Sequence, residues 1–245
     1  MSHRPSSSEP LLIFGIHAVE AALRNSQRPV GRLFLTENAR RRLGPALALR
    51  TVEPEAVTPR DLDRRLGKDT VHQGALLETA PLPEIGLADI AGRSGPILLL
   101  DRVTDPHNVG AVLRSAAAFG ASALVLTRRH SPPLAGALAK AASGALDLVP
   151  VVLVQNLARA LEELKSFRIL CIGLDDAAEE LLEDVAPAGP SALVLGAEGK
   201  GLRQRTRALC DRLCRIATAE PSMSLNVSNA AAVALHLVRL RARKV

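Results

Sequence analysis

The fold is decided by residues 97–120, which read ILLLDRVTDPHNVGAVLRSAAAFG. Four consecutive apolar residues are followed by a polar loop containing Pro106 and then by apolar residues at helical spacing. A continuous apolar run is typical of a strand that helices cover on both faces. The stretch therefore predicts a strand at 97–100 and a helix at 109–119, which together make one unit of an α/β fold.

The same alternation continues to the end of the chain. A largely parallel sheet is expected, because parallel strands are joined by helical crossovers. Ligands bind such sheets at the carboxyl ends of the strands, so the loops there are the candidate functional segments. Further strands are predicted at 123–126, 149–154, 168–173, 192–195 and 213–217, and helices at 134–142, 157–165, 178–182, 202–208 and 226–241.

A smaller α/β module precedes this domain. Helices are predicted at 15–24, 39–49 and 61–66, the last beginning after Thr58-Pro59, with strands at 32–35 and 71–77. Residues 80–96 contain three Pro and three Gly, a composition that indicates a connection. The predicted organisation is a disordered leader (1–10), a small domain (11–80), a linker (81–95) and a larger α/β domain (96–245).

Composition narrows the functional classes. The 245 residues carry a net charge of +6 with a pI near 9.9, which permits a polyanionic partner. Aromatic residues are only 2% of the chain, so modules that stack bases on aromatic rings are disfavoured. The three cysteines form no CxxC pair and no cluster with His, which predicts reduced thiols and no metal site. Without a signal core or a membrane-spanning apolar run, the expected location is the cytoplasm.

Three polar segments that follow predicted strands are the candidate loops. In the first, Asn108 is placed to cap the next helix, and Arg114 lies off the apolar stripe of that helix. In the second, at 193–202, the glycine spacing fits neither a P-loop nor a dinucleotide fingerprint, and Glu198 is the carboxylate at the tip. In the third, the polar residues exceed what helix capping needs: Ser224, Asn226, Ser228 and Asn229.

The ordered segments resemble the SpoU (TrmH-like) family of RNA 2′-O-ribose methyltransferases. The motifs that carry the resemblance are DPHNVGAVLRSAAAFG (105–120), LVLGAEGKGL (193–202) and SLNVSNAAAVAL (224–235). The front module, with FGIHAVEAAL (14–23) and VHQG (71–74), resembles the L30e-like RNA-binding domain of the subgroup that methylates a guanosine of 23S rRNA. The resemblance implies a C-terminal trefoil-knotted α/β methyltransferase domain of the SPOUT type and a homodimer formed through the last helix.

The resemblance also implies residue roles and a cofactor, S-adenosylmethionine. Arg114 would anchor a substrate phosphate and orient the 2′-hydroxyl, a role that suits a guanidinium better than that of a base. Asn108 would hold Arg114 or the ribose, and Glu198 would organise its loop or bind nearby donors. The remaining implied site residues are Ser224 and Asn226, which would complete the pocket, and Leu195, Gly196, Ile216, Ser224 and Leu225, which would bind the cofactor.

Alternatives stay open at this point. A tRNA or an antibiotic-target rRNA could be the substrate of an enzyme of the same family. A non-catalytic RNA-binding or ribosome-assembly factor could use the same fold. A nucleotide-binding oxidoreductase is disfavoured, because the glycine fingerprint is missing. Arg40, Arg41 and Arg42 could form a solvated helix face or contact RNA.

Overall fold

The computed structural model describes residues 10–185, 187, 189–219 and 224–242. The chain divides into two compact units. The first unit comprises the residues up to Pro83 together with Pro133–Leu148, and the second comprises Glu84–Pro132 and the residues from Val149 onward. The predicted leader lies outside the described residues except for Pro10.

Eleven strands and ten α-helices occur in the described parts of the chain. The strands are β1 (Leu11–Phe14), β2 (Val30–Leu35), β3 (Glu55–Ala56), β4 (Ala75–Thr79), β5 (Ile97–Asp101), β6 (Ala123–Thr127), β7 (Val151–Val154), β8 (Leu170–Leu174), β9 (Glu180–Leu181), β10 (Ser191–Gly196) and β11 (Arg212–Arg215). The helices are α1 (Ile16–Arg24), α2 (Glu37–Leu47), α3 (Pro59–Leu66), α4 (Ala88–Ala91), α5 (Pro106–Phe119), α6 (Gly136–Ala142), α7 (Leu157–Ser166), α8 (Leu182–Val185), α9 (Gln204–Leu209) and α10 (Val227–Ala242).

The first unit contains a four-stranded sheet in the order β1-β4-β2-β3. Strand β4 pairs antiparallel with both of its neighbours, and the short strand β3 pairs parallel with β2. The three predicted helices are present. The predicted start of α3 is confirmed by a capping box, in which the Thr58 side chain accepts from the backbone of Asp61 and the Asp61 carboxylate accepts from Thr58 N at 2.8 Å. Strands β1 and β3 were not predicted, and β4 begins four residues later than the predicted strand.

The segment 133–148 belongs to the first unit, although the predicted organisation puts it within the larger domain. A buried ion pair anchors it: Asp147 Oδ1 lies 2.8 Å from Arg28 Nε, and both side chains are 2% exposed. The same carboxylate oxygen accepts from Asn25 Nδ2 at 3.0 Å. On α6, Lys140 Nζ donates to Gln73 Oε1 at 2.6 Å. The first unit is therefore assembled from two stretches separated by about 50 residues of sequence.

The second unit is built on a seven-stranded sheet in the order β7-β6-β5-β10-β8-β11-β9. All of its strand pairs are parallel, which confirms the predicted α/β class. Every residue of β5 and β6 is buried, as expected for strands with helices on both faces. The trefoil knot that the resemblance implies stays a prediction. No helix among the described residues is long and apolar enough to cross a membrane.

The helix predicted at 178–182 is wrong. Glu180 and Leu181 form β9, the edge strand that pairs with β11, and α8 begins only at Leu182. The edge is held by backbone pairing of Glu180 with Cys214 and of Leu181 with Arg215, and by an ion pair at 3.2 Å between Glu180 Oε2 and Arg212 Nε. Ala, Glu and Leu favour helices locally, but pairing with a neighbouring strand outweighs a preference worth only tenths of a kcal/mol per residue.

Candidate active site

The loop after β5 begins helix α5 in a way that frees Asn108. Asp105, not Asn108, is the N-cap: its carboxylate accepts from the backbone N of His107 at 3.1 Å and of Asn108 at 3.3 Å. Pro106 occupies the first turn, where its missing N–H costs nothing. The prediction that Asn108 caps the helix is therefore wrong. Its side chain is instead available for contacts outside the helix.

The loop after β10 folds back sharply on itself. Gly199 and Gly201 have φ values of +71° and +59°, in a backbone region that residues with a Cβ rarely adopt. Gly201 N donates to Ala197 O at 2.8 Å, and a Cβ on Gly196 would collide with the backbone of Gly201. The glycines are needed because the loop closes tightly. Glu198 lies at its tip.

Glu198 joins two residues from distant parts of the chain. Asn108 Nδ2 donates to Glu198 Oε1 at 3.0 Å, and Asn226 Nδ2 donates to the same oxygen. Asn226 Nδ2 also donates to Asn108 Oδ1 at 3.1 Å. The three side chains therefore form a closed hydrogen-bonded triangle that ties the first turn of α5 to the loop after β10 and to the residue that precedes α10. We call it the Asn–Glu–Asn triangle.

Ser228 fixes the orientation of one member of this triangle. Its backbone N and its Oγ both donate to Asn226 Oδ1, at 2.8 and 2.6 Å. Because the amide oxygen is occupied, the amide nitrogen of Asn226 faces Glu198 and Asn108. In the sequence, Ser228 is only one of the surplus polar residues of the third segment, and no role is predicted for it. The signal that could have found it is the Asx-type turn expected where Asn precedes Ser by two positions at a helix start.

A cavity of ≈ 490 Å³ lies beside the triangle in the second unit. The volume is within the range of small-molecule and cofactor sites. All five residues implied to bind the cofactor line it, together with Glu198: Leu195, Gly196, Ile216, Ser224 and Leu225. The wall also carries charges of both signs, among them Asp175 and Arg207, which form an ion pair with Asp175 Oδ2 2.5 Å from Arg207 Nε. The cavity thus has the polar and apolar surfaces that an amino-acid-bearing nucleoside requires.

Arg114 does not line the cavity and takes no part in the hydrogen bonds of the triangle. It lies on α5, six residues after Asn108, and its side chain is exposed. Among the described residues it has no hydrogen-bond or ion-pair partner, and it does not line the cavity. The structure therefore brings together Asn108, Glu198 and Asn226 by direct contact, and Ser224 by the shared cavity. It leaves Arg114 free.

The cysteines of the second unit are unsuited to nucleophilic chemistry. Burial raises the pKa of the Cys171 and Cys210 thiols to about 12 and that of Cys214 to about 11. All three are free. A thiol with so high a pKa carries almost no thiolate near neutral pH, so these residues act as packing groups.

Comparison with known proteins agrees with this architecture. Residues 95–236 match the model of the SpoU rRNA Methylase family, and residues 12–85 match the model described as RNA 2′-O ribose methyltransferase substrate binding. The first match spans more than half of the chain. The protein belongs to the SpoU rRNA methylase family.

Individual relatives are similar over almost their whole length. The 23S rRNA (guanosine-2′-O-)-methyltransferase RlmB of Pseudomonas syringae pv. tomato is 40% identical over 233 residues, covering 91% of this chain and 92% of the relative. The RlmB protein of Pseudomonas aeruginosa is 40% identical over 236 residues, covering 91% and 93%. Among solved structures, the SpoU methyltransferase AviRb of Streptomyces viridochromogenes, in complex with the cofactor AdoMet, superposes with a TM-score of 0.82 at 26% identity, covering 96% of this chain and 91% of that one.

Proposed function

We propose that this protein transfers a methyl group from S-adenosylmethionine to the ribose 2′-hydroxyl of a guanosine in 23S rRNA. The observation that carries the proposal is the position of Glu198, which belongs to the Asn–Glu–Asn triangle and also lines the cavity. The Asn–Glu–Asn triangle therefore lies beside a cavity large enough for a cofactor. The RlmB relatives, which match nearly the full length of the chain, support the choice of 23S rRNA.

The residues of the cavity fit S-adenosylmethionine. Gly196, Gly199 and Gly201 line the cavity without side chains, so backbone groups of this loop can contact a ligand directly. Leu195, Ile216 and Leu225 would offer the cofactor apolar surface, and the charged residues of the wall would offer partners to its zwitterionic end. When bound, the cofactor supplies a methyl group activated by its positive sulfur. The protein's task is then to position the hydroxyl for attack on that methyl group.

Arg114 and the triangle divide that positioning task. Arg114 holds a phosphate beside the target nucleotide and orients the hydroxyl, because a guanidinium stays protonated and offers a planar set of donors. Its side chain is exposed and has no partner within the described part of the chain, which leaves it available to the RNA. Asn108 retains one amide N–H outside the triangle, which can donate to the ribose. The triangle keeps that amide in a fixed orientation.

The first unit holds the RNA substrate through its phosphates and riboses. A groove in this unit runs between the N-termini of α2 and α3, and its lining includes Asn38, Arg41, Arg42 and Gln73. Arg42 is exposed and has no ion-pair partner among the residues that the structure describes. Guanidinium groups and amides recognise the backbone of RNA, which is the mode expected of a protein with few aromatic residues.

The protein works as a homodimer in the cytoplasm, with α10 at the interface. Two large apolar side chains on this helix, Val233 and Leu240, are 37% and 42% exposed. They lie seven residues apart, so they share one helix face. An exposed apolar helix face favours packing against a second copy.

The decisive experiment is methyl transfer from labelled S-adenosylmethionine to purified RNAs. Unmodified 23S rRNA should accept one methyl group per molecule at a guanosine 2′-oxygen, located by mapping 2′-O-methylation, whereas tRNA should accept none. Methylation of tRNA alone would contradict the rRNA substrate. Tight binding of rRNA without transfer, under conditions where the cofactor also binds, would support the non-catalytic alternative.

A further inference from the structure

Asp101 is a buried carboxylate at the carboxyl ends of the strands, where the proposed chemistry takes place. It is the last residue of β5, and its side chain is 0% exposed. Its two oxygens accept from one residue, Arg203: Oδ1 from Arg203 Nε at 2.7 Å and Oδ2 from the backbone N of Arg203 at 3.1 Å. Burying a carboxylate is costly unless it is paired and hydrogen-bonded, and here both oxygens are satisfied.

This pair anchors the base of the loop that carries Glu198. Asp101 lies directly opposite Gly196 in the β5–β10 ladder, and Arg203 follows the loop on its other side. The segments 101–108 and 196–203 are therefore tied at two points. Asp101–Arg203 holds the base, and Asn108–Glu198 holds the tip. Between these ties, residues 196–202 form one wall of the cavity.

We propose that Asp101 is a positioning residue for methyl transfer, acting through Arg203 on Glu198 and on the cavity wall; this inference rests on the proposed function. A loop that contains three glycines loses much conformational entropy when it is ordered. A charge-assisted anchor at its base reduces the number of conformations that the tip explores. Displacements of about 1 Å at a reacting centre can cost about a hundredfold in rate, so the anchor has a direct effect on turnover.

The primary test compares Asp101→Asn with Asp211→Asn in the full-length protein. Asp211 is a matched control in the same unit. Its Oδ2 accepts from Cys171 N at 2.8 Å and its Oδ1 pairs with Lys165 Nζ at 2.7 Å, but it does not line the cavity. We expect D101N to lower kcat at least tenfold and to weaken calorimetrically measured binding of S-adenosylhomocysteine. D211N should lower the unfolding temperature and leave both quantities within twofold of wild type.

A double-mutant cycle with Glu198→Gln separates positioning from a general loss of stability. If Asp101 acts through Glu198, D101N should lower kcat at least tenfold in the wild-type background and less than threefold in the E198Q background. Equal losses in both backgrounds would overturn the proposal. If D101N does not fold, Arg203→Lys replaces it in the cycle, because lysine keeps the charge and the backbone N–H but lacks the Nε donor.

The proposed function and this inference can fail separately. A wild-type protein that binds S-adenosylhomocysteine and RNA but transfers no methyl group contradicts the proposed function. A wild-type protein that transfers methyl groups, together with a D101N variant that is equally fast, contradicts only the positioning role of Asp101.

Discussion

Ser228 donates two hydrogen bonds to the same oxygen of Asn226, from its backbone N at 2.8 Å and from its Oγ at 2.6 Å. The amide oxygen of Asn226 therefore points toward the beginning of α10, and its nitrogen points toward Glu198. The two donors of Ser228 therefore orient the Asn226 amide so that its nitrogen donates to Glu198, 28 residues earlier in the sequence.

Replacing Ser228 by Ala should slow methyl transfer without abolishing it. The variant loses the hydroxyl donor but keeps the backbone N–H, so the amide of Asn226 is held by one bond in place of two. A hydrogen bond of this kind contributes about 1 kcal/mol, which corresponds to about a fivefold change in rate if it is felt fully at the transition state. Steady-state kinetics with 23S rRNA measure the effect. Ser166→Ala, which removes an exposed hydroxyl bond to Glu163 O on α7, is the control and should retain full activity.

Replacing Arg114 by Ala should abolish methyl transfer while binding of S-adenosylhomocysteine remains. Arg114 does not line the cavity and makes no hydrogen bond within the triangle, so we expect both to survive its loss. Turnover is measured with labelled cofactor, binding by calorimetry and dimer mass by light scattering. Arg159→Ala, an exposed arginine on α7, is the matched control for loss of one surface charge. Unimpaired turnover of R114A would contradict the role proposed for this guanidinium.

Replacing Asp147 by Ala should strongly destabilise the first unit. The change leaves the guanidinium of Arg28 buried and without its partner carboxylate, which typically costs about 3–5 kcal/mol of unfolding free energy. Denaturant unfolding, with hydrogen exchange to locate the effect, measures the loss. Glu55→Ala breaks the exposed pair with Arg32 and should change stability little. Equal effects of the two variants would mean that the Arg28–Asp147 pair contributes no more than a surface pair.

Stability should fall in alkaline solution, because the thiols of the unfolded chain ionise at a lower pH than the buried thiols of the folded protein. The folded protein holds Cys171 and Cys210 at a pKa of about 12, above the ordinary value of 9.0, because burial disfavours the thiolate. Unfolding releases these groups to their ordinary pKa, so their contribution is fully present below pH 9 and is lost as the pH rises toward 12. Unfolding free energies should be measured from pH 8 to pH 11 for wild type and for C171A/C210A. The difference between the two proteins should shrink as the pH rises, because only wild type loses the contribution of the thiols.

The sequence predicted the parts of this fold that depend on local patterns. All six strands predicted after residue 96 are present, because an apolar run bounded by turn residues is a local signal. The cap at Thr58 was equally local. The edge strand β9 was missed because only its partner β11 makes it a strand. The cap of α5 was misassigned to Asn108, since both Asp105 and Asn108 are competent caps and only the structure distinguishes them.

The sequence predicts which residues belong to the candidate site, but it does not predict the hydrogen bonds between them. Asn108, Glu198 and Asn226 stood out as polar residues in loops where packing alone needs none. That Glu198 accepts from both amides depends on the folded geometry, as does the Asp101–Arg203 pair, whose partners are 102 residues apart. Long-range pairs leave no periodic signal in a single sequence.

The assembly of the first unit from two stretches has a consequence for synthesis on the ribosome. Asn25 and Arg28 emerge early, but the carboxylate that pairs with them belongs to Asp147, which is translated about 120 residues later. At about 5–20 residues per second, the nascent unit waits for at least about 6 seconds with its guanidinium unpaired. The first unit therefore cannot complete its folding until β5 and β6 of the second sheet have also been translated.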